Sequence, residues 1–283
     1  MPRVVDSLEQ LREAVGRLRE GSRRIGFVPT MGNLHRGHLS LVEEAGRRCE
    51  AVTASVFVNP TQFGPGEDFE AYPRTFEADL EALASVGCDL VWAPPVETMY
   101  PLDDPFMVRV PEALADRLCG RSRPGHFDGV ATVVLRLFSQ VQPDVAVFGE
   151  KDFQQLLILR RMARDFSLPV ELAGAPIVRE DDGLAMSSRN GYLDERQRAL
   201  APLLFRVLEE TVEGLASGED FAGLKTRAEE KLESADFRPD YLEWRSAEDL
   251  GEPQPGEPSR LFGAAWLGKA RLIDNVEVPA ARD

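Results

Sequence analysis

With 283 residues, 43% of them hydrophobic, the chain can build a sizeable core and sits at the length where one core commonly divides into two. Its 48 acidic residues outnumber 33 basic ones, and the resulting net charge of −15 repels polyanions, which excludes nonspecific nucleic-acid and membrane-surface binding as its business. Cys49, Cys88 and Cys119 are odd in number, widely spaced and outside any C-x-x-C pattern, so neither a disulfide framework nor a structural zinc site is indicated.

Taken in chain order, the first half alternates strands and helices. The run from Met1 to Asp6 lacks an apolar leader and leads into a helix with Leu8, Leu11, Val15 and Leu18 on one face, opened by a capping box over Asp6–Glu9. Arg24–Val28 and Ala51–Val58 are short apolar runs expected of buried parallel strands, with a helix starting near His38 between them. Asp89–Ala93 and Asp144–Phe148 are further strands, and Arg74–Ser85, Val130–Gln140 and Phe153–Asp165 read as helices. The pattern predicts a Rossmann-like, doubly wound α/β sheet over residues 1–175. From 176 to 283 the grammar changes to two charged helices, Glu195–Ala216 and Phe221–Ala235, and three strands, Asp240–Arg245, Arg260–Leu267 and Arg271–Val278, a smaller α+β domain. No stretch approaches a membrane span, and a cytoplasmic location is expected.

All three histidines fall in short glycine-bearing motifs: His35 and His38 within Met31-Gly32-Asn33-Leu34-His35-Arg36-Gly37-His38, and His126 within Arg123-Pro124-Gly125-His126. A parallel strand ending near Val28 delivers the first motif to the carboxyl edge of the sheet, where a following helix presents unpaired amides, an anion site by construction. Histidines three apart can serve one phosphate group there, although they can also simply cap or pack the helix. A zinc reading lacks a third ligand. Lys151, in Gly149-Glu150-Lys151-Asp152, is the only lysine among the first 224 residues of a chain with 29 arginines and four lysines. That choice suits a compact point charge in a crowded phosphate site.

The His-x-Gly-His spacing resembles the signature of the nucleotidylyl-transferase superfamily, which includes class I aminoacyl-tRNA synthetases. Met186-Ser187-Ser188-Arg189 resembles a shortened form of its mobile Lys-Met-Ser-Lys-Ser loop. Four further segments, Val56–Gly64, Tyr72–Thr75, Arg123–Val130 and Gly149–Leu156, narrow the resemblance to the pantothenate synthetase (pantoate–β-alanine ligase) family. That resemblance implies ATP-dependent condensation of (R)-pantoate with β-alanine through an enzyme-bound pantoyl adenylate, releasing pyrophosphate and AMP. It places Met31 to His38 at ATP, with His38 the proton donor and His35 a phosphate partner. It assigns phosphate charge to Lys151 and adenosine contacts to Gly149, Glu150 and Asp152. Val178 contacts the nucleotide from the domain junction, and Met186, Ser187, Ser188 and Arg189 close over it. Gln62 and Gln155 grip pantoate, and Gln62 also meets β-alanine. Gln154 is read as a solvated neighbour. Asn59, Tyr72, Arg123 and His126 order the site without touching substrate. Magnesium rides on the phosphates, with Asp79 at most an outer contact, and a homodimer is expected. Two other readings of the same residues are a nucleotide sensor without turnover and a simple adenylyltransferase with no use for a second acceptor.

Overall fold

The computed structural model describes residues 1–67 and 69–279. Its contacts divide the chain into two compact units. The first comprises Met1–Asp116, Gly120–Glu150 and Gln155–Pro176; the second comprises Arg117–Cys119, Lys151–Gln154 and the chain from Ile177 onward.

The first unit is built on six parallel strands: Arg3–Val5 (β1), Ile25–Thr30 (β2), Ala51–Val56 (β3), Leu90–Trp92 (β4), Val145–Gly149 (β5) and Glu171–Ala175 (β6). Their order is β1-β4-β3-β2-β5-β6, so the chain winds outward from β2 in one direction and returns to lay β5 on its other side. Ligands of open α/β sheets bind where the order reverses, at the carboxyl ends of the strands. Here that point lies at β2 and β5, the two strands that lead into the histidine motif and the Lys151 turn. The helices are Leu8–Leu18 (α1), Arg36–Arg48 (α2), Phe76–Ser85 (α3), the short Val96–Met99 (α4), Glu112–Ala115 (α5) and Leu118–Ser122 (α6), then His126–Val141 (α7) and Phe153–Asp165 (α8). Leu41, Val42 and Ala45 of α2 pack on Val28, Val52, Ala54, Val145 and Val147. Alternation along β2 turns Phe27 to the other face, where it meets Phe138 edge-on, with centroids 6.5 Å apart. No helix among the described residues is long and apolar enough to cross a membrane.

The second unit pairs helices Glu195–Leu200 (α9), Leu203–Ala216 (α10) and Phe221–Glu233 (α11) with an antiparallel sheet of Phe237–Ser246 (β7), Ser259–Leu267 (β8) and Ala270–Val278 (β9). Leu204, Val207 and Leu208 of α10 bury against Leu261, Ala265 and Leu272.

Four local expectations need correction. The cap of α1 is Ser7, whose hydroxyl accepts from the Gln10 amide, while the Gln10 side chain reaches back to the Asp6 amide. The cap thus sits one residue later than Asp6, and the return bond goes to the Asp6 amide and not to that of the capping residue. Arg3–Val5 and Glu171–Ala175 are strands that the pattern missed, the first too short and the second too mixed to show a period. The helix expected over Glu195–Ala216 is two helices. Pro202 has no amide proton to continue the ladder, and the break falls there.

Candidate active site

After β2 the chain turns sharply at Gly32 (φ +80°) and Asn33 (φ +50°). A side chain at Gly32 would place its Cβ 2.9 Å from Asp79 Oδ2 and 3.2 Å from Val56 Cγ1, so glycine is required on two counts. Asp79, only 2% exposed, fastens this loop. Its Oδ2 accepts from the Asn33 amide at 3.0 Å, and its Oδ1 accepts from the Leu34 amide at 2.8 Å and the Thr75 hydroxyl at 3.2 Å. Its place in the first turn of α3 adds the favourable end of that helix dipole. Asp79 is therefore an anchor of this loop.

His35 and His38 form the N-terminal cap of α2. His35 Nδ1 accepts from the Gly37 amide at 3.1 Å, His38 Nδ1 accepts from the His35 amide at 3.3 Å, and the rings lie 4.1 Å apart, tilted by 37°. An accepting Nδ1 carries no proton, so each neutral ring keeps its proton on Nε2, and that edge is the donor. The cap thus fixes the tautomer of both rings. The first turn of α2 holds no acidic side chain to oppose an anion at its positive end. The Arg36 guanidinium forks onto Glu43 at 2.7 and 3.0 Å along the exposed helix surface.

Gln62 closes a 3-10 turn, Pro60–Gln62, and its Nε2 lies 3.1 Å from the Met31 sulfur. The turn is held by Asn59, 1% exposed, whose Oδ1 accepts from the Thr61 hydroxyl at 3.0 Å and the Tyr100 hydroxyl at 2.7 Å. Its Nδ2 donates to Gln62 Oε1 at 3.1 Å and to the Gly129 carbonyl at 3.2 Å. Burial raises the Tyr100 phenol above its ordinary pKa, which keeps it protonated as a donor. At Gly129 a Cβ would lie 2.3 Å from the Thr61 carbonyl oxygen and 2.8 Å from Gln62 Cα, so α7 presses backbone on backbone against the turn.

A second chain of contacts grips Gln62 from the motif around His126. The His126 Nδ1–H donates to the Gln62 carbonyl at 2.8 Å, and Arg123 Nη1 donates to His126 Nε2 at 2.9 Å. Arg123 in turn forks onto Glu67 at 2.8 and 2.6 Å. This histidine therefore carries the opposite tautomer from the other two. Burial pushes the Glu67 carboxyl up, yet Arg123's hydrogen bonds and charge outweigh it and leave the group below the usual carboxylate range. Stability from this pair is present above the unfolded pKa of Glu67 and lost only as pH falls through the depressed folded value. Asn59 thus holds Gln62 by its side chain and His126 by its carbonyl, with Arg123 acting through His126, while Tyr72 is buried and stacks edge-on with Phe63 at 6.0 Å.

Lys151 follows β5 in a 3-10 turn, Glu150–Asp152, with its ammonium 3.5 Å from Asp152 Oδ2 and its side chain 19% exposed. In the same unit the Met186 amide donates to the Val178 carbonyl at 3.0 Å, and Arg179 bridges to Ala185, so residues 178–186 form a small hairpin presenting Met186. Ser187 caps the following 3-10 turn, Ser188–Tyr192, accepting from the Arg189 amide. Lys151, Ser187, Asn190 and Asp274 line one small cavity. Gln155 is half-buried in the first turn of α8. Gln154 is not solvated: it is 5% exposed, its Oε1 accepts from the Cys119 amide at 3.1 Å and its Nε2 donates to the Arg117 carbonyl at 2.7 Å. The spacing argument that separated it from Gln155 holds, but its own face turns inward.

Sequence reasoning missed Glu67, Tyr100, Asp274 and Asn275. The last two left a signal, a carboxylate and an amide side by side in the middle of a strand, between Leu272-Ile273 and Val276.

The family model described as pantoate-beta-alanine ligase matches residues 3–277. The pantothenate synthetase of Pseudomonas aeruginosa strain UCBPP-PA14 is 53% identical over 279 residues, covering 97% of this chain and 98% of that protein. The one from Stutzerimonas stutzeri is 54% identical, covering 97% of each. Among solved structures, the pantothenate synthetase of Thermus thermophilus superposes with a TM-score of 0.91 at 50% identity, covering 98% of this chain and 99% of that one. The pantoate-beta-alanine ligase of Francisella tularensis, solved with beta-gamma ATP and beta-alanine, gives 0.82 at 31% identity, covering 98% of each chain.

Proposed function

Since the chain belongs to the pantoate–β-alanine ligase family, we propose that the residues described above divide the work of its ligation as follows. The enzyme condenses (R)-pantoate with β-alanine through an enzyme-bound pantoyl adenylate, releasing pyrophosphate and then AMP. A carboxylate is a poor acyl donor; attack on the α-phosphate of ATP makes it a good one, and the amine then displaces AMP. This chemistry needs positioned donors and charge neutralisation more than a covalent nucleophile.

The observation that supports the assignment is the histidine cap of α2, which fixes Nε2–H as the donor edge of both rings at the positive end of that helix. Met31 to His38 hold the phosphates and ribose there, with His38 the proton donor. Lys151 neutralises charge as pyrophosphate leaves, Gly149, Glu150 and Asp152 hold adenosine, and Val178 with Met186–Arg189 cover the nucleotide. Gln62 and Gln155 bind pantoate, Gln62 also receiving β-alanine; an amide both donates and accepts, as a hydroxy acid requires. Magnesium enters as Mg-ATP, carried by the phosphates with few protein ligands. The same reading includes a cytoplasmic homodimer, for which exposed Leu102, Phe106 and Met107 offer an apolar face.

Given Mg-ATP and pantoate without β-alanine, the enzyme exchanges labelled pyrophosphate into ATP, and complete reactions yield AMP. Exchange that requires β-alanine, or stoichiometric ADP, overturns the assignment.

The grip on Gln62 has its own test. His126→Ala raises the pantoate KM about two- to tenfold, the value of one hydrogen bond of ~0.5–1.5 kcal/mol. His126→Asn, whose amide can replace the Nδ1 donor, recovers most of it. Equal effects of the two variants, or a change in the ATP KM alone, sever His126 from Gln62.

A further inference from the structure

Strand β9 buries a carboxylate and an amide in succession, Asp274 at 5% and Asn275 at 2% exposure. Adjacent strand residues point to opposite faces, so each serves a different neighbour. Asp274 accepts both arms of Arg179, Nη1 at 2.6 Å and Nη2 at 3.0 Å, and the amide of Asn275 at 2.8 Å. Arg179 also donates to the Gly183 carbonyl at 3.1 Å and lies 3.6 Å over the Phe205 ring, which locks it at the base of the 178–186 hairpin. Asn275 accepts from Arg260 Nη1 at 2.6 Å and donates from Nδ2 to the Lys151 carbonyl at 3.1 Å. Arg260 is itself stacked 4.5 Å over Phe153, two residues beyond Lys151.

Two neighbouring side chains on one strand therefore fasten both the hairpin that presents Met186 and the turn that carries Lys151. A buried ion pair is weak grounds for stability, because well-packed apolar residues commonly do as well. Its distinctive property is direction: a forked guanidinium–carboxylate pair and an amide donor fix position as a hydrophobic contact does not.

We propose that Asp274 and Asn275 are positioning residues for the adenylation half-reaction, setting Lys151 and the Met186–Arg189 loop in register without touching substrate. The inference rests on the reading that Lys151 and this loop meet the phosphates of ATP. A misplacement of about 1 Å in such a group costs on the order of 100-fold in rate. Only the first half-reaction, in which pyrophosphate leaves, depends on that register; aminolysis of the finished adenylate does not.

The test uses full-length Asn275→Asp. It keeps an acceptor for Arg260 but turns an oxygen, in place of the amide donor, towards the Lys151 carbonyl. Three quantities are read: pyrophosphate–ATP exchange with pantoate, aminolysis of chemically supplied pantoyl adenylate by β-alanine, and the thermal midpoint. Exchange falls at least tenfold in kcat, while aminolysis stays within twofold of wild type. Asp274→Asn, which still accepts from Arg179, falls about threefold in exchange alone. Equal losses in both half-reactions, or full exchange by the folded protein, overturn the proposal. Should Asn275→Asp fail to fold, Asn275→Ala removes the donor without adding charge and is judged by the same two rates. Lys151→Ala is measured alongside. If it abolishes exchange while the Asn275 variants keep theirs, only the positioning role fails; if it exchanges normally, the phosphate assignment beneath it fails.

Discussion

Lys151→Ala lowers the pyrophosphate-exchange rate by about 10²- to 10³-fold, the ~2.7–4 kcal/mol that losing one preorganised donor to developing charge removes. Its thermal midpoint stays close to wild type. The ammonium pairs with its chain neighbour Asp152 at 3.5 Å, whose side chain is 49% exposed, and ion pairs of that kind contribute little. Lys151→Arg does not restore the rate, because a planar guanidinium cannot take the place of a point charge in a site framed by Asn275 behind and Ser187 beside it. Exchange within threefold of wild type in the alanine variant, or full rescue by arginine, would remove Lys151 from the chemistry.

Asp79→Ala has the second largest effect, and it reads out first as stability. The substitution leaves the amides of Asn33 and Leu34 without their acceptor in a part-buried loop, at about 1–3 kcal/mol for each unsatisfied donor. It also removes the clamp on Asn33, the second of two consecutive residues in the left-handed region. A loss of roughly 2–5 kcal/mol is expected in urea unfolding, with exchange reduced at least tenfold in the protein that remains folded. Asp79→Asn falls between: its oxygen still accepts from one amide, but its NH2 group faces the other as donor against donor. An alanine variant of wild-type stability would show that the loop holds its shape by other means.

The alternation of strand and helix, and the two-part grammar, were legible because hydrophobic period reports directly on burial. What escaped was short or weakly marked: Arg3–Val5 is three residues long, and Glu171–Ala175 has Leu172 as its one large apolar side chain. The histidine and lysine motifs were legible because rare residue types clustered with glycines. The supports were not, because Asp79, Glu67 and Tyr100 act through partners tens of residues away, and spacing carries no record of such pairs. Asp274 is 95 residues from Arg179 and Asn275 is 124 from Lys151. The strand that holds them looked in the sequence like ordinary sheet. Gln154 shows the converse, a polar residue that spacing set apart from its neighbour but whose inward partners lay beyond local reach.

The fit at Gly129 has a consequence for the evolution and redesign of substrate scope. With room for nothing larger than hydrogen between α7 and the carbonyl of Thr61, helix and turn behave as one rigid wall, and the Gln62 side chain is borne on its face. Such a wall cannot be drawn back by loosening a loop, since any retreat of the turn must carry a sixteen-residue helix with it. With Gln62 at the hydroxy acid as proposed above, a bulkier one is accepted by shortening side chains that face it, and lineages exploring new substrates would find that backbone closed to them.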